Sequence, residues 1–138
     1  PYLRDTAGAQ VAHLCSASAM YGPPELATYS ATQFAVRGLT EALELEWRRH
    51  GIRVIDMWPL FVATGMVDGV ETASTASLGV HLGADEVAAE IYAATRPGRH
   101  LLPRVHHPVG RQATVLAAMV QVTPNWVQRL MNKTVTHT

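Results

Sequence analysis

Two hydroxyl side chains, Ser16 and Tyr29, have types and a spacing that suit proton transfer. Ser16 follows a short apolar run at residues 11–15, and Tyr29 stands thirteen residues later at the start of a helical pattern. Gln33 lies four residues beyond Tyr29, so these two side chains share one helix face. A hydroxyl near a reacting oxygen can donate or accept a proton as charge develops there. Tyr29 is the candidate for proton transfer and Ser16 for holding the oxygen, although each alone would also suit an ordinary helix start or strand end.

The sequence around these residues carries a recognisable pattern over residues 16–64. It contains A-T-Y-S-A around Tyr29, then F-A-V-R-G-L-T-E-A-L, and a following apolar run that ends in proline. This segment resembles the short-chain dehydrogenase/reductase family. The resemblance implies an oxidoreductase that uses NAD or NADP to interconvert a carbonyl and an alcohol, with Ser16 and Tyr29 as catalytic residues.

Gln33 occupies the position of the lysine in the family's Y-x-x-x-K motif. In the family that lysine holds the nicotinamide ribose and lowers the pKa of the tyrosine, so the resemblance places Gln33 and Tyr29 in both the catalytic and the cofactor-binding sets. An ordinary tyrosine phenol, with a pKa near ~10, is almost entirely neutral at pH 7. A neutral phenol suits carbonyl reduction better than alcohol oxidation. We expect a reductase or, alternatively, a non-catalytic subunit or binding module that has lost this chemistry.

A second motif follows the apolar run. The stretch P-L-F-V-A-T is similar to the family's P-G-x-V-x-T turn. The resemblance implies that Pro59, Val62 and Thr64 contact the nicotinamide carboxamide. Leu60 stands at the glycine position, where the backbone loses its freedom to adopt a positive φ. The alternative interpretation is a simple strand exit.

The elements that must position these residues alternate between strand and helix. Short apolar runs predict strands at residues 11–15, 52–58 and 100–104. Helical spacing predicts helices at residues 27–50, 85–95, 113–120 and 124–133. This order predicts an α/β fold, the C-terminal half of a Rossmann-like doubly wound parallel sheet with a helical tail.

The chain of 138 residues is long enough for one hydrophobic core. It contains no glycine-rich dinucleotide-binding turn, and the family's unit is about twice as long. We therefore expect residues 1–138 to be the catalytic and substrate-binding half of one domain, without its N-terminal dinucleotide-binding half and inactive alone.

The helix at residues 27–50 has an unusually broad apolar face. Phe34 begins one apolar stripe, and Val36 begins a neighbouring one. Such a helix can cover the sheet and a second surface. The resemblance implies that the second surface is a partner subunit, and hence a homo-oligomer.

The segment at residues 60–82 is too long for an ordinary connection and is typical of a lid. Its apolar residues suit a hydrophobic carbonyl or alcohol substrate, although half of them would equally suit core packing. The substrate-contact candidates are Phe61 and Met66 in this segment and Ser18 after the first strand.

Composition and spacing exclude several other classes. Lys and Arg form no cluster suited to nucleic acid. The run at residues 113–122 is too short for a transmembrane helix. His13 suits a hydrogen-bonded core residue, and His106 and His107 have no Cys or acidic partner at metal-ligand spacing, so we expect no metal. Cys15 suits a buried apolar position, and one cysteine allows no internal disulfide, which favours the cytoplasm.

The two helical patterns of the tail allow two interpretations. They could pack on the body of the protein or on a neighbouring subunit. Alternatively, Trp126 and Leu130 could face lipid at a membrane surface, although Arg129 and Lys133 are the only cations of this segment.

Overall fold

The computed structural model describes residues 1–65, 72–96 and 104–136. Its strands are β1 (Gln10–Leu14), β2 (Arg53–Pro59) and β3 (His106–Val109). Its helices are α1 (Ala27–Arg48), α2 (Ala73–Leu78), α3 (Ala84–Thr95), α4 (Gly110–Val122) and α5 (Asn125–Thr136). A short 3-10 turn at Ala17–Ala19 follows β1.

The three strands form a parallel sheet in the order β1-β2-β3. The register pairs His13 with Asp56 and Asp56 with His106, so these three residues form one row across the sheet. Helices connect the strands, as parallel pairing requires. The predicted α/β class with parallel strands and a helical tail is confirmed.

Strand β2 is covered on both faces, and its side chains alternate between them. Val54 clusters with Trp47 of α1 on one face. Ile55 and Met57 cluster with Val87 of α3 on the other face. Because both faces of β2 are buried, its sequence is almost continuously apolar.

Helix α1 ends at Arg48, two residues before the predicted end. Gly51 follows with φ +69°, a conformation that glycine adopts without steric cost. Of the two predicted apolar stripes, the one with Val36 packs against the core. Leu39 of that stripe is exposed, and so are Phe34 and Leu45 of the other stripe. The second surface of the helix is therefore open in this chain.

The third strand differs from the prediction. Residues 100–103 of the predicted strand lie outside the described residues, and the described strand is His106–Val109. Pro108 disfavours a strand in the sequence because it has no N–H to donate. It is tolerated because β3 pairs with β2 along one side only within the described sheet.

The segment at residues 60–82 contains a helix that the sequence did not predict. Helix α2 begins after Thr72, whose hydroxyl accepts a hydrogen bond from the amide of Thr75. Val62, which precedes α2, forms a parallel bridge with Leu82, which follows it. The segment is therefore partly regular, and α2 packs against α5.

The tail forms two helices, as predicted. On α5, the Gln128 amide donates to the carbonyl oxygens of Val120 and Thr123, at 2.8 Å each. Asn132 donates to the carbonyl of Gly22 at 2.9 Å. The Gln128 bonds fix α5 against α4, and the Asn132 bond joins α5 to the loop after the 3-10 turn.

Candidate active site

The candidate site lies where β1 and β2 end at the same edge of the sheet. The amide of Cys15, just after β1, donates to the carbonyl of Met57 at 3.0 Å. The 3-10 turn follows directly. In open parallel sheets, ligands bind at this carboxyl edge.

Ser16 opens the 3-10 turn. Its Oγ accepts a hydrogen bond from the Ser18 amide at 3.2 Å, and its carbonyl accepts from the Ala19 amide at 3.0 Å. Because Oγ accepts within the turn, the Ser16 hydroxyl proton is left to donate elsewhere. The Ser18 side chain is buried, and its Oγ has no hydrogen-bond partner among the described residues.

Tyr29 and Gln33 lie in the first two turns of α1. Tyr29 is 40% exposed, and Gln33 is half-buried with its amide donating to Thr32 Oγ1 at 3.3 Å. The Cys15 thiol donates to the carbonyl of Gln33 at 3.4 Å. This contact joins the residue before Ser16 to the helix that carries Tyr29.

Cys15 is a structural thiol. It is 7% exposed, and burial raises the pKa of the thiol, only partly opposed by a hydrogen bond to the Ser16 backbone. A neutral thiol is a poor nucleophile. This arrangement agrees with the predicted apolar role.

The predicted nicotinamide turn follows β2. Pro59 is buried, and Phe61 and Val62 are half-buried. Thr64 is exposed, and its hydroxyl donates weakly to the carbonyl of Val62 at 3.4 Å. Met66, the remaining candidate of this segment, lies outside the described residues.

An apolar cavity of about 60 Å³ lies beyond the turn that Ser16 opens. Its lining comprises Tyr21, Leu78, Leu116, Val120, Gln128, Met131 and Asn132. Burial raises the pKa of the Tyr21 phenol, which keeps that side chain neutral. Of this lining, only Leu78 belongs to the segment predicted as a lid. The sequence did not identify the contribution of α4 and α5, because those residues are distant along the chain.

A polar network next to the site was also not predicted. His106 Nδ1 lies 2.8 Å from Asp56 Oδ1, and His106 Nε2 lies 3.0 Å from Glu41 Oε1. Arg37 donates to the same Glu41 oxygen at 2.9 Å, and this bond lowers the pKa of the Glu41 carboxyl. The sequence indicated no acidic neighbour for His106. The fold supplies two, from α1 and β2.

His13, which the sequence predicts as a core histidine, is hydrogen-bonded. His13 Nδ1 lies 2.8 Å from Thr40 Oγ1, and the Thr40 hydroxyl itself donates to the Val36 carbonyl. Since that hydroxyl proton is already engaged, His13 Nδ1 is the donor to Thr40.

Residues 1–65, 72–96 and 104–136 contain neither a metal-binding cluster nor a membrane-spanning helix. Those residues contain no group of three His, Cys, Asp or Glu side chains that could hold a metal. None of the helices described there is long and apolar enough to cross a bilayer.

Sequence comparison identifies a family and individual relatives that this chain resembles. The family model for short chain dehydrogenase matches residues 1–75. An uncharacterised oxidoreductase from Staphylococcus epidermidis is 32% identical over 97 residues, which cover 70% of this chain and 41% of that protein. A short-chain dehydrogenase from Pyricularia oryzae is 34% identical over 112 residues, 71% of this chain and 40% of that protein. The chain spans about two-fifths of the length of these curated relatives.

Solved structures share the fold. A short chain dehydrogenase from Burkholderia cenocepacia in complex with NADP has a TM-score of 0.78 at 22% identity, covering 94% of this chain and 49% of that one. A 3-ketoacyl-(acyl-carrier-protein) reductase from Brucella melitensis complexed with NADH has a TM-score of 0.63 at 25% identity. It covers 72% of this chain and 42% of that one.

Proposed function

Because this chain belongs to the short-chain dehydrogenase family, we propose that it supplies the catalytic residues of an NAD- or NADP-dependent oxidoreductase acting on a carbonyl or alcohol. The observation that carries the proposal is the placement of Ser16 and Tyr29. Ser16 opens the turn after β1, and Tyr29 lies in the first turn of α1, which packs against that turn. The contact between Cys15 and Gln33 joins the two elements.

The chain acts, in this proposal, as the catalytic and substrate-binding half of one domain. The sequence has no glycine-rich turn to bind the cofactor diphosphate. We call the chain joined to its dinucleotide-binding half the complete enzyme. The 138 residues alone should bind NADH and NADPH negligibly in calorimetric titrations, and micromolar binding would show that the nucleotide site lies within this half.

The residues present fit the nicotinamide end of the cofactor. The Gln33 amide can donate to and accept from a ribose hydroxyl. Pro59 ends β2 at the carboxyl edge, and the half-buried Val62 and the exposed Thr64 follow it. When bound, the cofactor supplies or accepts a hydride. The relatives from Burkholderia cenocepacia and Brucella melitensis hold NADP and NADH respectively, so both cofactors remain in the proposal.

Tyr29 and Ser16 have separate roles. Tyr29 donates its phenolic proton to the substrate oxygen as negative charge develops there. Ser16 orients that oxygen through the hydroxyl proton that its own turn leaves available. Because Gln33 carries no positive charge to stabilise a phenolate, carbonyl reduction is the favoured direction.

The decisive test is Tyr29→Phe in the complete enzyme, which removes one oxygen and preserves the ring. We expect ketone reduction and alcohol oxidation to fall by about 10²–10⁴-fold. Tyr92→Phe is the matched control, since Tyr92 lies 69% exposed on α3, and it should stay within about twofold of wild type. Equal rates for both variants would refute the assignment of Tyr29.

Gln33 supports a second candidate, a non-catalytic member of the family. The Gln33→Lys variant of the complete enzyme separates the two. A cation one helical turn from Tyr29 stabilises the phenolate, so alcohol oxidation should rise and its pH-rate profile should move to lower pH. If wild type and variant both bind NADPH but neither reacts, the protein is a binding module.

The apolar cavity supports a hydrophobic substrate, and Ser18 and Phe61 are further candidates for substrate contact. Val120→Phe should fill the cavity from α4. In that variant kcat/KM should fall for long-chain ketones by about tenfold and change little for acetone. Equal losses for both ketones would show that the cavity does not bind substrate.

The open face of α1 supports a homo-oligomer. Phe34 is 43% exposed there and Leu45 is 69% exposed. Their spacing of about three helical turns puts both on one face, and exposed apolar patches mark subunit interfaces. Leu45→Glu should convert the complete enzyme to a smaller species in light scattering. An unchanged mass would place the interface elsewhere or show a monomer.

A further inference from the structure

The turn that carries Ser16 is tied to α1 at both of its ends. Before Ser16, the Cys15 thiol donates to the Gln33 carbonyl. After it, Arg37 Nη1 donates to the carbonyl of Ala19 at 3.2 Å. The turn itself is only three residues long, so its position depends on these ties more than on its own bonds.

Arg37 follows Gln33 by one helical turn, on the face that carries Tyr29. The guanidinium is held on several sides. Its Nε donates to Glu41, and its Cζ lies 5.2 Å from the centre of the Trp58 ring. A guanidinium held in this way presents its remaining N–H groups in a fixed direction.

The partners of Arg37 are fixed in turn. Glu41 also lies within hydrogen-bond distance of His106, which is bonded to the fully buried Asp56. The His106 ring stacks on Trp58 with 4.5 Å between ring centres. Arg37 is therefore connected to both β2 and β3 through a continuous set of contacts.

We propose that Arg37 is a positioning residue for the reaction, which holds the Ser16 turn at a fixed distance from Tyr29. The proposal rests on the proposed function, because it gives Ser16 and Tyr29 their roles. Arg37 touches neither substrate nor cofactor in this scheme and acts through the Ala19 carbonyl. Misplacement of a catalytic group by about 1 Å can cost about 100-fold in rate.

The test is Arg37→Gln in the complete enzyme, with Arg48→Gln as the matched control. Arg48 lies on the same helix, forms an ion pair at the same spacing, and is 63% exposed. Arg37→Gln should lower kcat by about 10- to 100-fold and leave KM for ketone and NADPH within about twofold. Arg48→Gln should leave kcat within about twofold. Equal kcat values for the two variants would overturn the proposal.

The variant Val54→Ala distinguishes a specific effect of Arg37 from a general loss of stability. It truncates a fully buried side chain that packs against Trp47, toward the C-terminal end of α1. Val54→Ala should lower the melting temperature at least as much as Arg37→Gln while leaving kcat within about twofold. A kcat loss in Val54→Ala as large as that in Arg37→Gln would assign Arg37 a merely structural role.

Hydrogen exchange tests the contact between Arg37 and the Ala19 carbonyl without requiring enzyme activity. The amides of Ala19 and Met20 donate to the carbonyls of Ser16 and Ala17 within the turn. Arg37→Gln should speed their exchange by about tenfold or more, and Arg48→Gln should not. Unchanged exchange in Arg37→Gln overturns the proposal even if the wild type is inactive. Loss of activity in Arg37→Gln together with full activity in Tyr29→Phe would refute the proposed function instead.

Discussion

In helix α1, the Arg37–Glu41 pair and the Glu44–Arg48 pair combine the same residue types at the same four-residue spacing. Arg37 donates to Glu41 and also to the Ala19 carbonyl. Arg48 directs both Nε and Nη2 to Glu44. Arg37 and Glu41 connect α1 to the Ser16 turn and to β3, whereas both of these Arg48 hydrogen bonds go to Glu44.

Exposure of the carboxylate does not explain the difference. The Glu44 side chain is 13% exposed and the Glu41 side chain 49% exposed, so the acid of the isolated pair is the better covered one. The arginines differ in the opposite sense, at 35% for Arg37 and 63% for Arg48. The two pairs differ in which guanidinium nitrogens bind the carboxylate and in the groups that lie nearby, and these differences decide what each pair holds in place.

The largest effect on stability is expected from His106→Ala. The substitution leaves the buried Asp56 carboxyl without its hydrogen-bond partner, and an unsatisfied buried group of this kind should lower the free energy of unfolding by about 3 kcal/mol in urea titrations. The double variant His106→Leu with Asp56→Leu should recover most of this loss, because no buried polar group is then left unsatisfied at this place. A loss below about 1 kcal/mol in His106→Ala would show that Asp56 is not held by this bond.

A smaller effect is expected from the coupling within each pair. In double-mutant cycles with Gln replacements, Arg37 and Glu41 should couple by about 1 kcal/mol, since both are held by further contacts. Arg48 and Glu44 should couple by about 0.3–0.5 kcal/mol and lose this coupling in high salt. Equal coupling energies would mean that the network adds nothing to the Arg37–Glu41 pair.

The smallest effect is a pH dependence that belongs to Glu41. The Arg37 hydrogen bond lowers the pKa of the Glu41 carboxyl below its usual value of 4.5. Glu41 therefore stabilises the fold above pH 4.5, and this stability is lost as the pH falls through the lower folded pKa. Arg37 and His106 are the groups that face this carboxyl.

The check is to compare the unfolding free energies of wild type and Glu41→Gln across this range. The difference should be present at about pH 6 and should shrink progressively as the pH falls below 4.5. When Arg37→Gln is also present, the effect of Glu41→Gln on the unfolding free energy at about pH 6 should be smaller. A difference that grows on acidification would show that the carboxyl is not stabilised by Arg37.

Most of the fold followed from local patterns. The run V-I-D-M-W-P predicted β2, and the spacing of apolar residues predicted α1, because strand and helix periods depend on near neighbours. The third strand did not follow, since a proline and two histidines mask its pattern. Its strand conformation depends on pairing with β2, which the chain supplies from about fifty residues away.

The candidate site, like the fold, was only partly predictable from the sequence. Ser16, Tyr29 and Gln33 were identified from the sequence because their motif lies within eighteen residues. The roles of these residues stay predictions until the variants are measured. The cavity beside Tyr21 could not be predicted, because its walls come from α2, α4 and α5.

The sequence by itself determined the family pattern, the alternation of strands and helices, and the four-residue spacing of Arg37 and Glu41. Only the tertiary structure decided that Arg37 reaches Ala19 and that His106 lies between Asp56 and Glu41. Helix spacing is fixed by the backbone over one turn. The partners of a buried polar side chain are fixed by strand register and helix packing, which bring together residues far apart in the chain.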